Sequence, residues 1–298
     1  MPDVQRGYLH GDYRLFRLRD RVSLNEIDYH IHSFHKLLLF RGGTAGYSIE
    51  GRHYPLQPGD LVLVPEGCVH RPEADGTTPY SRDVLYLSPA FLREGGLDAC
   101  FLRARERNAY VLRLPKEEAA RLEARFHALE EAESEPEAFA APLLGRALTQ
   151  ELLIAVCRAM QRAPDAPESA RDEQTAQLLE YIRENLTGDV SADALAAKFY
   201  VSKYHLMRVF KAETGSTIHD YVTGRRLRYA RELMDAGLSP TEACFRCGYQ
   251  DYSAFARAYK KEFGVPPRGW VRLAAAVSAA RKHRYFFTFS AGTDKIDP

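Results

Sequence analysis

The stretch VSKYHLMRVFKAETG, residues 201–215, is followed by a second version of itself, QDYSAFARAYKKEFG, residues 250–264. The two versions keep an arginine, a lysine, a glutamate and a glycine in the same columns: Arg208 and Arg257, Lys211 and Lys260, Glu213 and Glu262, Gly215 and Gly264. Apolar residues at i, i+3 and i+4 in each version predict an amphipathic helix with a basic outer face. The fold must therefore use one kind of basic helix twice.

A short helix is predicted in front of each basic helix. In the second copy, Ser239, Pro240 and Glu242 supply an N-cap, a first-turn proline and a capping-box acid. The first copy begins at Ser191, and Asp193 suits the positive end of the helix dipole. A glycine ends each basic helix, as a left-handed C-cap requires. Two short helices joined by a tight turn, the second one basic, describe a helix-turn-helix.

The charge is concentrated where the repeat lies. The whole chain has a net charge of only +1, but residues 198–272 hold 14 Lys and Arg against 7 Asp and Glu, a local net charge of +7. Such a basic region attracts phosphates. A solvated basic face would also explain a charge run alone, but the repeat, the turn residues and the shared basic columns together favour DNA.

The helix between the copies, TIHDYVTGRRLRYARELMDAG, sets their separation. It is about 30 Å long at the usual rise per residue. It can therefore hold two recognition helices roughly one turn of DNA apart, about 34 Å. We predict that the chain reads two successive major grooves, with arginine on guanine edges and lysine on phosphates.

Residues 175–272 resemble the DNA-binding domain of the AraC-type (arabinose-regulator-like) transcription regulators. The resemblance is carried by ACFRCGYQDYSAFARAYKKEFGVPPRGW in the second copy and SKYHLMRVFKAETG in the first. That family has two helix-turn-helix units on one connecting helix. Trp270 and Val271 stand where the family usually has an aromatic residue and an arginine, which bears on a phosphate contact and not on the fold.

The resemblance implies base contacts from both basic helices. Those in the first helix are Tyr204, Met207 and Arg208. Those in the second are Asp251, Tyr252, Ala254 and Arg257. The lysines of the same helices complete the predicted DNA-binding set: Lys203, Lys211, Lys260 and Lys261.

The first part of the chain, residues 1–113, has a β pattern. In HKLLLFRGGTAGYSIEGRHYPLQPGDLVLVPEGCVH, short apolar runs alternate with glycine and proline turns, which predicts a barrel or sandwich. It resembles a cupin, the β-barrel that many members of the family use to bind a small effector. The second cupin motif is intact as Gly59, Pro65, Gly67 and His70.

The first cupin motif, HIHSFHK, is altered. It places two histidines on one face of a strand, and with His70 they form a set of three neutral imidazoles that suits a divalent metal. Lys36, however, stands where a metal-binding cupin usually has glutamate, and its charge repels a cation. We therefore favour a sugar or small carboxylate as effector, with the metal as the alternative and no other cofactor; His35 is either a further site residue or a surface residue. The predicted effector site consists of His30, His32, Lys36, His70 and Arg82, and the alternative metal ligands are His30, His32 and His70.

Two helices are predicted between the β part and the repeat, from Lys116 onward. Leu122, Phe126 and Leu129 recur at helical spacing and LLIAVC follows, which is more apolar surface than a small barrel needs to cover. This predicts a homodimer through the segment, and the alternative is packing of both helices on their own barrel.

The hydropathy pattern, the N-terminal sequence and the cysteines of the chain predict a protein that remains in the cytoplasm. No apolar run approaches the roughly 20 residues of a membrane helix, and the N-terminus lacks the apolar core of a signal peptide. The five cysteines are odd in number and scattered, which favours reduced thiols. Cys244 and Cys247 form a lone C-x-x-C in a helical pattern and are interpreted as core residues.

The sequence thus predicts an α+β multidomain protein. Its parts are a cupin-like sensor at 1–113, dimerisation helices at 114–160, a linker at 161–173, a double helix-turn-helix domain at 174–273 and a tail at 274–298. The predicted function is an effector-responsive transcription regulator and no enzyme. The alternative is a cupin metalloenzyme, an isomerase or dioxygenase with a helical appendage, which needs the carboxylate that Lys36 replaces.

Overall fold

A computed structural model of the chain describes residues 9, 11–21, 23–24, 27–162, 169–170 and 173–271. The predicted tail at 274–298 lies outside these residues. Packing of the Cα atoms divides the chain into two compact units: Met1–Glu184 with Ser191–Ile218, and Asn185–Val190 with His219–Pro298. The first helix-turn-helix copy therefore belongs to the same unit as the N-terminal domain, and the second copy belongs to the other.

The N-terminal domain contains the short strands that were predicted, and they pair in the antiparallel sense. They are β1 (Tyr13–Asp20), β2 (His35–Gly42), β3 (Ala45–Ile49), β4 (Arg52–Pro55), β5 (Asp60–Val64), β6 (His70–Ala74), β7 (Tyr80–Leu87), β8 (Val111–Arg113) and β9 (Ser169–Ala170). One sheet has the order β1-β7-β2-β5-β8 and the other β6-β3-β4-β9. The strands β2 and β5 lie inside the first sheet and are almost wholly buried, which explains their continuous apolar sequence.

The segment predicted as entirely β also contains two helices, α1 (Pro89–Gly95) and α2 (Ala99–Glu106), so that prediction was wrong in this part. Proline is the first residue of α1, where its missing N–H leaves no helical hydrogen bond unmade. Phe91 and Phe101 are buried in the core of the domain. The helices therefore cover apolar surface that the strands leave open.

The two predicted helices of the middle segment are present as α3 (Lys116–Ser134) and α4 (Ala141–Met160). The apolar stripe on α3 is not on the surface, because Leu122, Phe126 and Leu129 are buried in the core of their own domain. Residues Leu152, Leu153 and Val156 of α4 are buried in the same core. The interpretation of these residues as spare surface was wrong, since the sheets need them as cover.

The predicted linker contains a strand. Ser169–Ala170 pairs with Arg52 and His53 of β4, so part of the segment at 161–173 is attached to the second sheet. The helix α5 (Glu173–Glu184) follows, and Asn108 Nδ2 donates to Glu180 at 2.7 Å. This helix is therefore held against the N-terminal domain.

The helix-turn-helix copies have the predicted elements. The first copy consists of α6 (Ala192–Lys198) and α7 (Lys203–Thr214). After α8 (Ile218–Asp235) comes the second copy, α9 (Pro240–Arg246) and α10 (Tyr252–Phe263). Among the residues that the structure describes, no helix is both long and apolar enough to cross a membrane.

The predicted caps are confirmed. Ser191 Oγ accepts from the amide of Ala194, and Ser239 forms the full capping box with Glu242. The glycines that end α7 and α10 are left-handed, with φ of 70° and 75°. The inward faces are also as predicted, since Leu206, Phe210, Phe255 and Tyr259 are buried. All five cysteines are free thiols, and Cys244 and Cys247 lie in the core of the second unit.

Candidate DNA-binding helices and effector cavity

The outer face of α7 carries the residues predicted to contact DNA. Tyr204 is 79% exposed and Met207 is 45% exposed, which is unusual for large apolar side chains in a folded domain. Arg208 and Lys211 are exposed on the same helix. Lys203 is exposed as well, and its Nζ lies 2.7 Å from a carboxylate oxygen of Asp193. The helix therefore presents an aromatic, a thioether and basic groups to solvent.

The outer face of α10 is also basic, and it differs from that of α7 in two respects. Arg257, Lys260 and Lys261 are exposed. Tyr252 and Ala254 are only half-exposed. Asp251 is the N-cap of α10, because its carboxylate accepts from the amide of Ala254 at 2.6 Å. Its predicted base contact must therefore compete with this capping bond.

Sequence analysis missed Tyr200, in the turn between α6 and α7. Its side chain is 95% exposed and its φ is 55°, a left-handed conformation that costs energy for a residue with a Cβ. Counted from the end of the preceding short helix, the corresponding residue of the second copy is Gly248, with φ of 92°. The turn of the second copy is one residue longer, so only an alignment that starts from the short helices would have found this position.

The second copy is fixed to α8 by side chains. Arg228 pairs with Glu262 at 2.7 Å. Arg231 lies over the ring of Trp270, whose indole N–H donates to Asp235 at 2.8 Å. Trp270 thus holds the end of the domain in place.

A cavity of about 280 Å³ lies within the N-terminal domain. It is lined by four of the five predicted effector residues, His30, His32, Lys36 and Arg82. Much of the remaining wall is apolar or aromatic. The fifth residue, His70, lies beside it with its ring 4.4 Å from that of His30.

The three histidines predicted as a metal alternative come together. One nitrogen of each lies within 4.8 Å of the others. Burial lowers the pKa of His32 to about 3 and lowers those of His30 and His70 as well, so all three are neutral at pH 7. Nδ1 of His30 donates to the carbonyl of Asp28 at 2.9 Å, and Nδ1 of His70 donates to that of Cys68 at 3.0 Å. In both rings Nε2 is therefore unprotonated and has a lone pair for a ligand. This arrangement fits a divalent metal.

Lys36 opposes a metal at this point. It is buried, and its Nζ donates to the hydroxyl of Tyr47 at 2.6 Å. Burial and, to a lesser extent, the charge of Arg82 lower its pKa to about 7. Arg82 is paired with Asp20 and donates to the carbonyl of Tyr80 at 2.7 Å. The cavity therefore contains two basic side chains.

His35 is neither a site residue nor a surface residue. It is only 5% exposed, and its Nδ1 accepts from the amide of Glu66 at 3.2 Å. Its ring packs on Phe101, with the ring centroids 4.5 Å apart. Its role is in the fold.

Comparison with known protein families finds matches for both the N-terminal domain and the helix-turn-helix copies. A family described as AraC-like ligand binding domain matches residues 13–153, and one described as helix-turn-helix domain matches residues 195–272. The chain belongs to the AraC-type transcription regulators.

Relatives of this AraC-type regulator match along most of its length. The HTH-type transcriptional activator RhaS of Enterobacter sp. (strain 638) is 27% identical over 244 residues, 80% of this chain and 85% of the relative. RhaS of Klebsiella pneumoniae (strain 342) is 25% identical over 261 residues, 84% of this chain and 90% of the relative. Among solved structures, ToxT from Vibrio cholerae is 13% identical with a TM-score of 0.35, covering 88% of this chain and 98% of ToxT.

Proposed function

We propose that this AraC-type regulator reads two successive major grooves with α7 and α10, and that an effector in the cavity sets its affinity for DNA. The observation that carries the first half is the pair of matched helices. Each has a serine or aspartate N-cap and a left-handed glycine C-cap, and each exposes an arginine at the same column, Arg208 and Arg257. Arginine is the side chain best suited to a guanine edge.

A contact within the first unit supports the second half. Gly215 ends α7, and a Cβ built on it would lie 2.5 Å from the carbonyl oxygen of Tyr29 and 2.9 Å from its Cβ. Tyr29 directly precedes His30, and Ile27 of the same segment lines the cavity. An effector that favours one conformation of this segment therefore biases the position of α7. A coupling free energy of about 1–3 kcal/mol is typical of such linkage.

DNA binding is tested by titrating the full chain with duplex DNA of random sequence across a salt series. A regulator that neutralises several phosphates loses affinity steeply as salt rises. A flat salt dependence, or no binding, would contradict the proposal. The DNA partner also leads us to propose the cytoplasm as the location of the protein.

The effector site is tested with the double variant His32→Ala/His70→Ala, compared with His127→Ala. His127 is an exposed histidine on α3 and does not line the cavity. We expect the double variant to lose the response of DNA affinity to the effector and the control to retain it. An unchanged response in the double variant would place the effector elsewhere.

We further propose a homodimer, through α4 instead of the buried stripe of α3. Leu143, Leu144 and Ile154 of α4 are 68%, 50% and 42% exposed. A two-fold dimer doubles the DNA contacts. The variant Leu143→Glu/Ile154→Glu should sediment as a monomer at micromolar concentration, whereas Leu102→Glu, a change of an exposed leucine on α2, should not. A wild-type monomer with and without DNA would contradict the dimer.

The metalloenzyme is the second candidate, and the histidine triad is the observation that favours it. Against it, the cavity offers Lys36 where such an enzyme needs a carboxylate, and the RhaS relatives are named transcriptional activators. We therefore propose no catalytic activity. Elemental analysis of the purified protein decides between the two readings, since one transition-metal ion per chain would favour the metal and a metal-free protein the organic effector.

A further inference from the structure

The wall of the cavity is mostly hydrocarbon. Phe16, Leu18, Leu38, Pro72 and Val84 all line it, from strands of both sheets. Such a wall favours an apolar ligand body, because each part of that body leaves water on binding. The volume of about 280 Å³ limits the ligand to a small molecule.

The charges in the cavity do not balance. Arg82 has a carboxylate partner in Asp20. Lys36 is buried, and the partner of its Nζ is the phenol of Tyr47, which burial keeps neutral by raising its pKa far above the ordinary value. A buried cation is costly unless an anion or hydrogen-bond acceptor completes it. Since the pKa of Lys36 lies at about 7, roughly half of it is protonated at pH 7, and the contacts described give this protonated form a neutral partner and no anion.

The polar groups of the cavity lining also favour a ligand that accepts hydrogen bonds. The hydroxyl of Tyr80, another lining residue, is buried and has no hydrogen-bond partner among the described residues. With Lys36 and Arg82 it supplies donors at the same cavity. A polyhydroxyl ligand needs acceptors too. The Asp20 carboxylate is already paired with Arg82, which leaves the neutral histidine nitrogens as the acceptors described at this cavity. An anion satisfies these donors better than a sugar does.

We propose that the ligand of this cavity is a small monocarboxylic acid with an apolar body, its carboxylate held by Lys36 and Arg82. This inference rests on the proposed function, in that it assigns a chemical class to the effector of the same site. The apolar body lies against the hydrocarbon wall. Tyr80 donates the further hydrogen bond.

The test is calorimetric titration of the full chain with matched probes. The acids are hexanoate and benzoate, the neutral counterparts are hexanamide and benzamide, and the polyhydroxyl probes are D-glucose and myo-inositol. We expect at least one acid to bind at least tenfold more tightly than its amide, and the polyhydroxyl probes not to bind. This comparison uses the wild-type chain and so does not depend on whether a variant folds.

Two variants then locate the carboxylate. Lys36→Met should lower the ratio of acid affinity to amide affinity at least tenfold. Lys36→Arg should lower this ratio less than Lys36→Met does. Lys116→Met, a change of an exposed lysine at the start of α3, is the matched control and should bind as the parent does. Acid binding that is unchanged in both Lys36 variants would overturn the proposal.

The remaining outcomes separate this inference from the proposed function. If no acid binds, or if the amides bind as well as the acids, the assigned class is wrong. If a polyhydroxyl probe binds instead and Leu38→Trp abolishes its binding, the cavity remains the effector site and only the class is overturned. If acid binding disappears after EDTA treatment, a metal at the histidines holds the carboxylate, and the assignment to Lys36 fails.

Discussion

The two helix-turn-helix copies have the same local design but different surroundings. The first copy belongs to the unit that contains the proposed effector cavity, and the glycine that ends α7 lies against Tyr29. The second copy belongs to the other unit, and the glycine that ends α10 has nothing within 4 Å of its missing Cβ. The same motif thus has one copy in contact with the sensor and one copy fixed to α8. We therefore expect the proposed effector to act through the first copy.

The largest expected effect is the loss of unfolding free energy in Gly215→Ala, with Gly264→Ala as the matched comparison. Both positions have positive φ, so either alanine costs about 1–2 kcal/mol from backbone strain. Only the alanine at 215 also meets Tyr29, and overpacking adds about 1–3 kcal/mol. Urea unfolding followed by circular dichroism should show the larger loss for Gly215→Ala. Equal losses would mean that the contact with Tyr29 is not made.

A smaller effect concerns the turn of the first copy. Tyr200→Gly should stabilise the chain by about 1 kcal/mol, because glycine relieves the left-handed strain. Tyr204→Ala, at an exposed tyrosine in helical backbone, is the control and should change the free energy of unfolding by at most about 0.5 kcal/mol. If Tyr200→Gly weakens DNA binding while raising stability, the exposed ring has a role at the DNA. Loss of stability would contradict the assigned strain.

A further effect distinguishes the two units by the pH dependence of their stability. The pKa of His32 is lowered by burial from its ordinary 6.5 to about 3, so the unfolded chain binds more protons in that range. Stability contributed by this group is therefore full above pH 6.5 and is lost as pH falls towards 3. His30 and His70 act in the same direction. The first unit should thus weaken on acidification.

The measurement uses the only tryptophan of the chain, Trp270, which lies in the second unit. Between pH 7 and 5, which is above the titration of most carboxylates, the urea midpoint seen by circular dichroism should fall. The midpoint seen by Trp270 fluorescence should fall less. His32→Gln should reduce the difference, and identical pH dependence at both probes would refute the assignment to the first unit.

The sequence was sufficient for the parts of this fold that local rules determine. The caps at Ser191 and Ser239 and the glycine ends of α7 and α10 follow from short motifs, and they are confirmed. The convergence of His30, His32 and His70 followed from the cupin resemblance, and the structure places their nitrogens together.

Other features depended on tertiary contacts that periodicity does not encode. The stripe with Leu122 on α3 is equally consistent with an exposed interface and with a buried face, and only the sheets beneath it decide. The contact of Gly215 with Tyr29 joins residues far apart in the sequence. Whether His35 points toward or away from the cavity likewise depends on its hydrogen bond with Glu66.

The central claim is that two matched helices read two grooves of DNA. The most direct test first selects the DNA duplexes that the wild-type chain prefers, and then compares footprints of the wild-type chain and the arginine variants on those duplexes. We predict two blocks of base preference roughly one helical turn apart. Arg208→Ala should erase one block and Arg257→Ala the other, each with a loss of about 1–3 kcal/mol in specific binding. Lys261→Ala, as a phosphate contact, should weaken both blocks alike. If either arginine variant retains both blocks with parental affinity, the account of these helices is wrong.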